Sequence, residues 1–198
     1  DILDISVSDL IQTTVSLKGP IKGYAPQKFM IKNMDAPPIA PIPVPLVVPA
    51  TNMEDNIQVI LRSGPIAPAV NASSALPPFF SPVFLYGNTL VDGGVISPVP
   101  VHFARLFNPK IVISVDISSP PPRTMMSNMY ALLYRVLNIS YYELSRMQAK
   151  QADISIHPDL EKYGTFDDEY NEEVYEAGRR AGLLVIEKIK AKLKEHNI

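Results

Sequence analysis

A layered α/β domain is the fold class this sequence predicts, and three observations predict it. The run "KIVISVDIS" (Lys110 to Ser118) is apolar enough for a strand buried on both faces of a parallel sheet. Near the C-terminus, Val174, Ala177, Ala181, Leu184, Val185, Ile189 and Leu193 recur at the spacing of one helical face. Strand-like and helix-like segments alternate through the rest, the pattern of helices laid on a sheet. With 198 residues, 46% hydrophobic and 19% charged, the chain has the length and balance of one globular domain with its own core.

In chain order, residues 1–34 are moderately polar, with a turn at "GPIKG" (Gly19 to Gly23) and a short helix expected over Pro26–Ile31. The proline-rich stretch Asp35–Thr51 holds a P-x-x-P pair, Pro38 and Pro41, that would fit a polyproline ligand. Because it runs straight into the strand-like "PLVV", it reads instead as an extended lead-in to an edge strand. Ile57–Gly64 then pairs with that strand across the polar turn Asn52–Asn56. "PAVNASSALPPFFSPV" is a short helix stopped by Pro77 and Pro78, since the residue before a proline avoids helical geometry. A further helix opens at the prolines of "PVPVHFARLF" (Pro98–Phe107).

Asp153–Pro158 is another short strand, and Met125–Ala149 ahead of it is mostly helical, with an interruption expected near Asn138–Ser140. Its apolar residues Met125, Met126, Met129, Leu132, Leu133 and Val136 are read as core packing, with contact to a lipid surface as the alternative. Thr165 and Asp168 form a capping-box pair ahead of the last helix. That helix carries its glutamates early and its lysines late, as the helix dipole favours.

Composition excludes several classes of function. A net charge of −2, with no basic patch interleaved with aromatics, argues against a nucleic-acid partner. The absence of cysteine rules out disulfides and thiolate zinc sites. No His-x-x-x-His or carboxylate cluster has metal-ligand spacing, and no glycine-rich phosphate loop is present, so neither a metal nor a cofactor is expected. The longest apolar stretch, Ala36–Ala50, is broken by prolines and cannot span a bilayer as a helix. The sequence begins at Asp1 rather than Met, which leads to the expectation of a truncated or processed chain.

Asp92 is the leading candidate for chemistry. It closes the apolar pair Leu90 and Val91 and is followed by Gly93 and Gly94. Asp-Gly is also a common turn pair, so a plain strand-ending turn is one reading. The other is a general base: sites in open α/β sheets lie at the carboxyl ends of strands, and two glycines leave the carboxylate room. His102 and His157 are the possible partners of an acid–histidine pair, although lone histidines are more often structural. Asp116, at another strand end, is read as a cap for the loop that follows it. Ser73 and Ser74 are read as helix packing residues, because G-x-S-x-G does not occur; the nearest spacing match, Gly19 to Gly23, has Ile21 in the serine place.

"AVNASSALPPFFSPV", then "NTLVDGGVISPVPVHFARLF", then "KIVISVDIS" resembles the C-terminal half of bacterial patatin-like phospholipases. "DISIHPDLEKYGTFDDEYNEEVYEAGRRAG" is similar to the way those domains close, so the resemblance covers roughly residue 15 onward. It implies a three-layer α/β fold with a mainly parallel central sheet, incomplete here at its N-terminal side. It also implies a serine lipid acyl hydrolase with a Ser–Asp dyad, whose Asp falls on Asp92 within the D-G-[GA] motif that Gly93 and Gly94 complete. The serine and the oxyanion loop of that family lie upstream of the matched region. The whole chain is therefore expected to be the C-terminal portion of one such domain. Its expected partners are a lipid acyl ester, a transient membrane or micelle surface and the missing N-terminal segment. A cytoplasmic or peripheral-membrane location of bacterial type is expected with it. A catalytically silent module that binds lipid or protein is the alternative. Asn52 stands where such proteins often carry Asp.

Overall fold

The computed structural model describes residues 37–121, 128–164 and 169–198, with short pieces at 12–13, 21–22, 28 and 31–32. The GPIKG turn, most of the Pro26–Ile31 helix, Met125, Met126 and the Thr165–Asp168 capping pair lie outside the described residues. The chain divides into two compact units, Asp1–Ile96 and Ser97–Ile198.

The first unit contains a minor pair, β1 (Gln12–Thr13) and β2 (Ile21–Lys22), and one four-stranded sheet. Its strands are β3 (Val48–Asn52), β4 (Ile57–Leu61), β5 (Val83–Leu85) and β6 (Asn88–Asp92), in the order β4-β3-β6-β5. Every pairing in it is antiparallel, which corrects the expected parallel central sheet. The reason lies in the connections. β3–β4 and β5–β6 are hairpins with tight turns, and only a longer crossover can deliver a parallel neighbour. The β5–β6 turn places Tyr86 and Gly87 at φ 51° and 82°, the left-handed pair that suits the twist of a two-residue hairpin.

β3 is also not an edge strand. It lies between β4 and β6, despite Pro49 as its second residue. Pro49 is tolerated because the β6 ladder runs out at Asp92 opposite Ala50, one residue short of it. The proline-rich lead-in is anchored by Ile39, which is buried and donates its N–H to Gly64 O at 2.8 Å. Helix α1 (Ile66–Ser73) lies on β3, β5 and β6. Small residues set this close approach: Ala50 and Ala72 are fully buried beside Leu90, and Ala69 packs with Ile39 and Val48. The helix ends before Pro77 and Pro78 as expected, with the Ser74 hydroxyl donating to Val70 O at 2.7 Å. Ser74 is exposed, so it closes the helix end and does not pack inside it.

The second unit contains α2 (Val101–Arg105), β7 (Ile113–Val115), α3 (Met129–Ala149), β8 (Ile154–Ile156), α4 (Asn171–Leu184) and α5 (Ile186–Glu195). β7 and β8 form a parallel pair, joined through the crossover helix α3. A small core gathers Val99, Val101, Val112 and Ala149, with Ala104 and Ala152 against it.

The strand expected to be buried on both faces alternates instead, and in the unexpected sense. Ser114, Asp116 and Ser118 are 5%, 3% and 7% exposed, while Ile113, Val115 and Ile117 are 43%, 56% and 65% exposed. Helix α3 runs without the expected interruption, because Asn138 turns its amide back to Tyr134 O at 2.8 Å and stays helical. Met129, Leu132, Leu133 and Val136 are exposed along α3, which overturns their reading as core packing.

The C-terminal helix expected as one piece is two. It breaks at Val185 (φ −105°, ψ 1°), just after the weak helix former Gly182, and Leu184 points outward, 86% exposed. Glu172 and Glu173 in the first turn of α4, and Lys192 and Lys194 in the last turn of α5, follow the expected charge gradient. Among the described residues, no helix is long and apolar enough to cross a membrane.

Candidate active site

β6 carries Asp92 to its end and holds its backbone on two sides. The Asp92 N–H donates to Ala75 O at 3.1 Å, just past the end of α1. Its carbonyl accepts the Thr51 hydroxyl from β3 at 2.9 Å. The chain then tightens into a 3₁₀ turn, Gly93–Val95, with Asp92 as its N-cap. Asp92 Oδ1 accepts the Gly94 N–H at 2.6 Å, a short charge-assisted bond.

Gly93 is required here for space, not for a special φ. A Cβ on it would stand 2.6 Å from Pro49 O and 2.9 Å from Pro49 C, inside the backbone of β3. The two glycines therefore do different things: Gly93 lets the turn close onto β3, and Gly94 supplies the N–H that binds the carboxylate. The turn reading and the base reading of Asp92 thus coexist in one geometry.

Burial pushes the Asp92 carboxyl above the ordinary aspartate range, and the Gly94 N–H draws it partly back. Among the described residues Oδ2 has no hydrogen-bond partner, so it is the oxygen open to a proton. A half-buried carboxylate of raised proton affinity, with one oxygen fixed and one open, can accept a proton from a neighbouring hydroxyl.

The other sequence candidates fall elsewhere. His102 sits exposed on α2 against the Phe103 ring, 4.1 Å between centroids. His157 Nδ1 lies 3.5 Å from Asp116 Oδ2, so its acidic neighbour is Asp116. Asp116 caps the following loop, as expected, by accepting the Ser118 N–H at 3.0 Å. It also accepts the Ser145 hydroxyl at 2.5 Å. Ser145 and Asp116 are a hydrogen-bonded serine–aspartate pair, but at 1% and 3% exposure neither can meet an ester. Their role is to tie α3 to the end of β7. Among the described residues, no group of three or more His, Cys, Asp or Glu could hold a metal ion.

Two contributors, Thr51 and Gln58, were missed in the sequence, and a third, Asn52, was noted there without a role. Thr51 and Gln58 face the site from β3 and β4, Gln58 donating from Nε2 to Gly93 O at 3.3 Å. Asn52, 2% exposed, ties the two hairpins together: its Nδ2 donates to Asp55 Oδ2 at 3.0 Å and to Asn88 Oδ1 at 2.9 Å. Its Oδ1 accepts the N–H groups of Glu54 and Asp55. The polar turn that follows "AT" was the available signal for that arrangement.

The patatin-like phospholipase family model matches residues 11–105. The chain is similar to the lysophospholipase NTE1 of Kluyveromyces lactis, 28% identical over 159 residues, which cover 67% of this chain and 11% of that protein. It is similar to an uncharacterized NTE family protein of Mycobacterium tuberculosis, 30% identical over 80 residues, or 40% of this chain and 22% of that protein. The lysophospholipase NTE1 of Saccharomyces cerevisiae is 24% identical over 164 residues, 70% of this chain and 10% of that protein. The chain thus spans a minor part of the length of each of these relatives. Residues 11–105, with Asp92, Gly93 and Gly94 inside them, are therefore the part of the chain that matches the patatin-like phospholipase family.

Proposed function

We propose that this chain supplies the base half of a serine lipid acyl hydrolase, with Asp92 as the base. In this reading the serine and the remainder of a three-layer fold belong to a segment outside the 198 residues. The observation that carries it is the Asp92 carboxyl, half-buried at the end of β6, bound through Oδ1 and open at Oδ2. The family match and the relatives named lysophospholipase support an acyl ester of a phospholipid or lysophospholipid as substrate.

The serine O–H gives its proton to Asp92 Oδ2 as its oxygen attacks the ester carbonyl. The tetrahedral intermediate collapses, the leaving alcohol takes that proton from Asp92, and an acyl-serine remains. Water then repeats the sequence: Asp92 takes its proton, hydroxide adds to the acyl carbonyl, and the serine leaves with the proton restored. Transient contact with a lipid surface is part of the reading, motivated by the exposed apolar side chains Met129, Leu132, Leu133 and Val136. Vesicle binding by the intact protein that survives polar substitution of Met129 and Leu133 would remove that part.

The test is Asp92→Asn in the intact parent protein, which keeps the shape and cannot take the proton. Ester hydrolysis should fall by about 10²–10⁴ or more with the fold retained. Turnover near the wild-type rate in a folded variant would refute the assignment. His102→Ala and His157→Ala are expected to retain activity. Residues 1–198 alone are expected not to hydrolyse p-nitrophenyl acyl esters. An intact parent that binds lipid but has no esterase activity would favour a silent lipid-binding module.

A further inference from the structure

The peptide that joins Gly93 to Gly94 is held at both of its polar atoms. Its N–H, on Gly94, donates to Asp92 Oδ1 at 2.6 Å. Its carbonyl, on Gly93, accepts from the Ile96 N–H, which closes the 3₁₀ turn, and from Gln58 Nε2, each at 3.3 Å; Gln58 is the side-chain donor of the two. Gln58 stands on β4 opposite Thr51 of β3, and Thr51 is opposite Val91 of β6. Its side chain therefore reaches past an entire intervening strand to the turn that follows Asp92. Gly93 has no side chain of its own to fix that peptide's rotation, and the Pro49 backbone leaves no space for one.

We infer that Gln58 is a positioning residue for Asp92, acting through the Gly93–Gly94 peptide. A donor at an amide oxygen draws charge across the amide and makes its N–H a better donor, so hydrogen bonds in series reinforce one another. Gln58 thereby orients the peptide and strengthens the bond that Gly94 makes to the ionised carboxylate. Burial works against the ionised form of Asp92, and this series of bonds opposes it. β3, β4, β5, α1 and the 3₁₀ turn contain no other ionisable side chain, so no charged residue on the elements around Asp92 duplicates the effect. The kinetic consequence of the inference rests on the reading of Asp92 as the base; its structural part does not.

The experiment compares wild type with Gln58→Met, which keeps the length and loses the donor. Gln58→Thr, a strand-favouring residue too short to reach Gly93, replaces it if the methionine variant does not fold. In the 198-residue chain, carbon NMR follows the titration of the Asp92 carboxyl. In the intact parent, the acid limb of the kcat/KM profile is followed in parallel. The expected result is roughly a twofold rise in the proton affinity of Asp92 in the variant, with the acid limb moving to higher pH by the same factor. An unchanged Asp92 titration in a folded variant overturns the inference, whatever the acid limb does. A titration that moves while the acid limb stays supports the role of Gln58 and refutes Asp92 as the base.

Discussion

Gly93→Ala is the most direct way to ask whether the turn after Asp92 depends on close approach to β3. The added Cβ would lie 2.6 Å from Pro49 O and 2.9 Å from Pro49 C, against about 3.3 Å for an ordinary carbon–oxygen contact. The overlap with the oxygen is therefore roughly 0.7 Å. Neither side yields easily: Pro49 has its φ fixed by its ring, and its strand is paired with β4 along its whole length. Relief requires backbone movement, the kind of overpacking that costs about 2 kcal/mol. For a chain of this size that lowers the unfolding midpoint by about 4–8 °C. Thermal unfolding followed by circular dichroism reads it directly. A Gly93→Ala protein with the wild-type midpoint would show that the close approach is not rigid, and the steric reasoning would fall.

Asp92→Asn should raise the unfolding midpoint at neutral pH. Burial raises the folded-state pKa of Asp92 above its usual 3.8, so its contribution to stability is fully present below that value and is lost as pH rises through the folded one. The gain from the substitution should accordingly shrink on acidification, and a gain independent of pH would refute the argument. Asn52→Asp should destabilise by about 3 kcal/mol in urea unfolding at neutral pH, because a buried carboxylate oxygen would then face the acceptors Asp55 Oδ2 and Asn88 Oδ1. Gly178→Ala and Gly182→Ala in α4 meet nothing within 4 Å and should each stabilise by about 0.5–1 kcal/mol, as thermal unfolding would register.

The parts of the structure legible in the sequence are those decided by neighbours along the chain. The β3–β4 pairing followed from two strand-like runs around a polar turn, and α1 from its proline stop. The place of Asp92 at a strand end was legible because two apolar residues before it and two glycines after it leave few alternatives to a strand ending at a carboxylate. Reading β3 as an edge strand was reasonable for a segment with Pro49 in it. What the chain does not display is that β6 stops opposite Ala50, which releases the proline from that ladder. The polar residues Ser114, Asp116 and Ser118 at alternate positions were a visible sign that Lys110–Ser118 has two unlike faces. The apolar total obscured it. Gln58 was out of reach, because its contact with Gly93 depends on the tertiary register of three strands.

That alternation along β7 has a consequence for strand register. Side chains on a strand repeat every two residues, so a slip by one position exchanges the two faces. For β7 and the extended residues that follow it, the slip would bury Ile113, Val115 and Ile117 and expose Ser114, Asp116 and Ser118, and apolar burial alone would favour it by up to about 5 kcal/mol. The native register must therefore be specified by polar contacts against the hydrophobic preference. Asp116 supplies them, with the Ser145 hydroxyl from α3, the Ser118 N–H from its own loop and His157 from just beyond β8. The carboxylate acts as a registration pin: it keeps the apolar row of β7 turned outward.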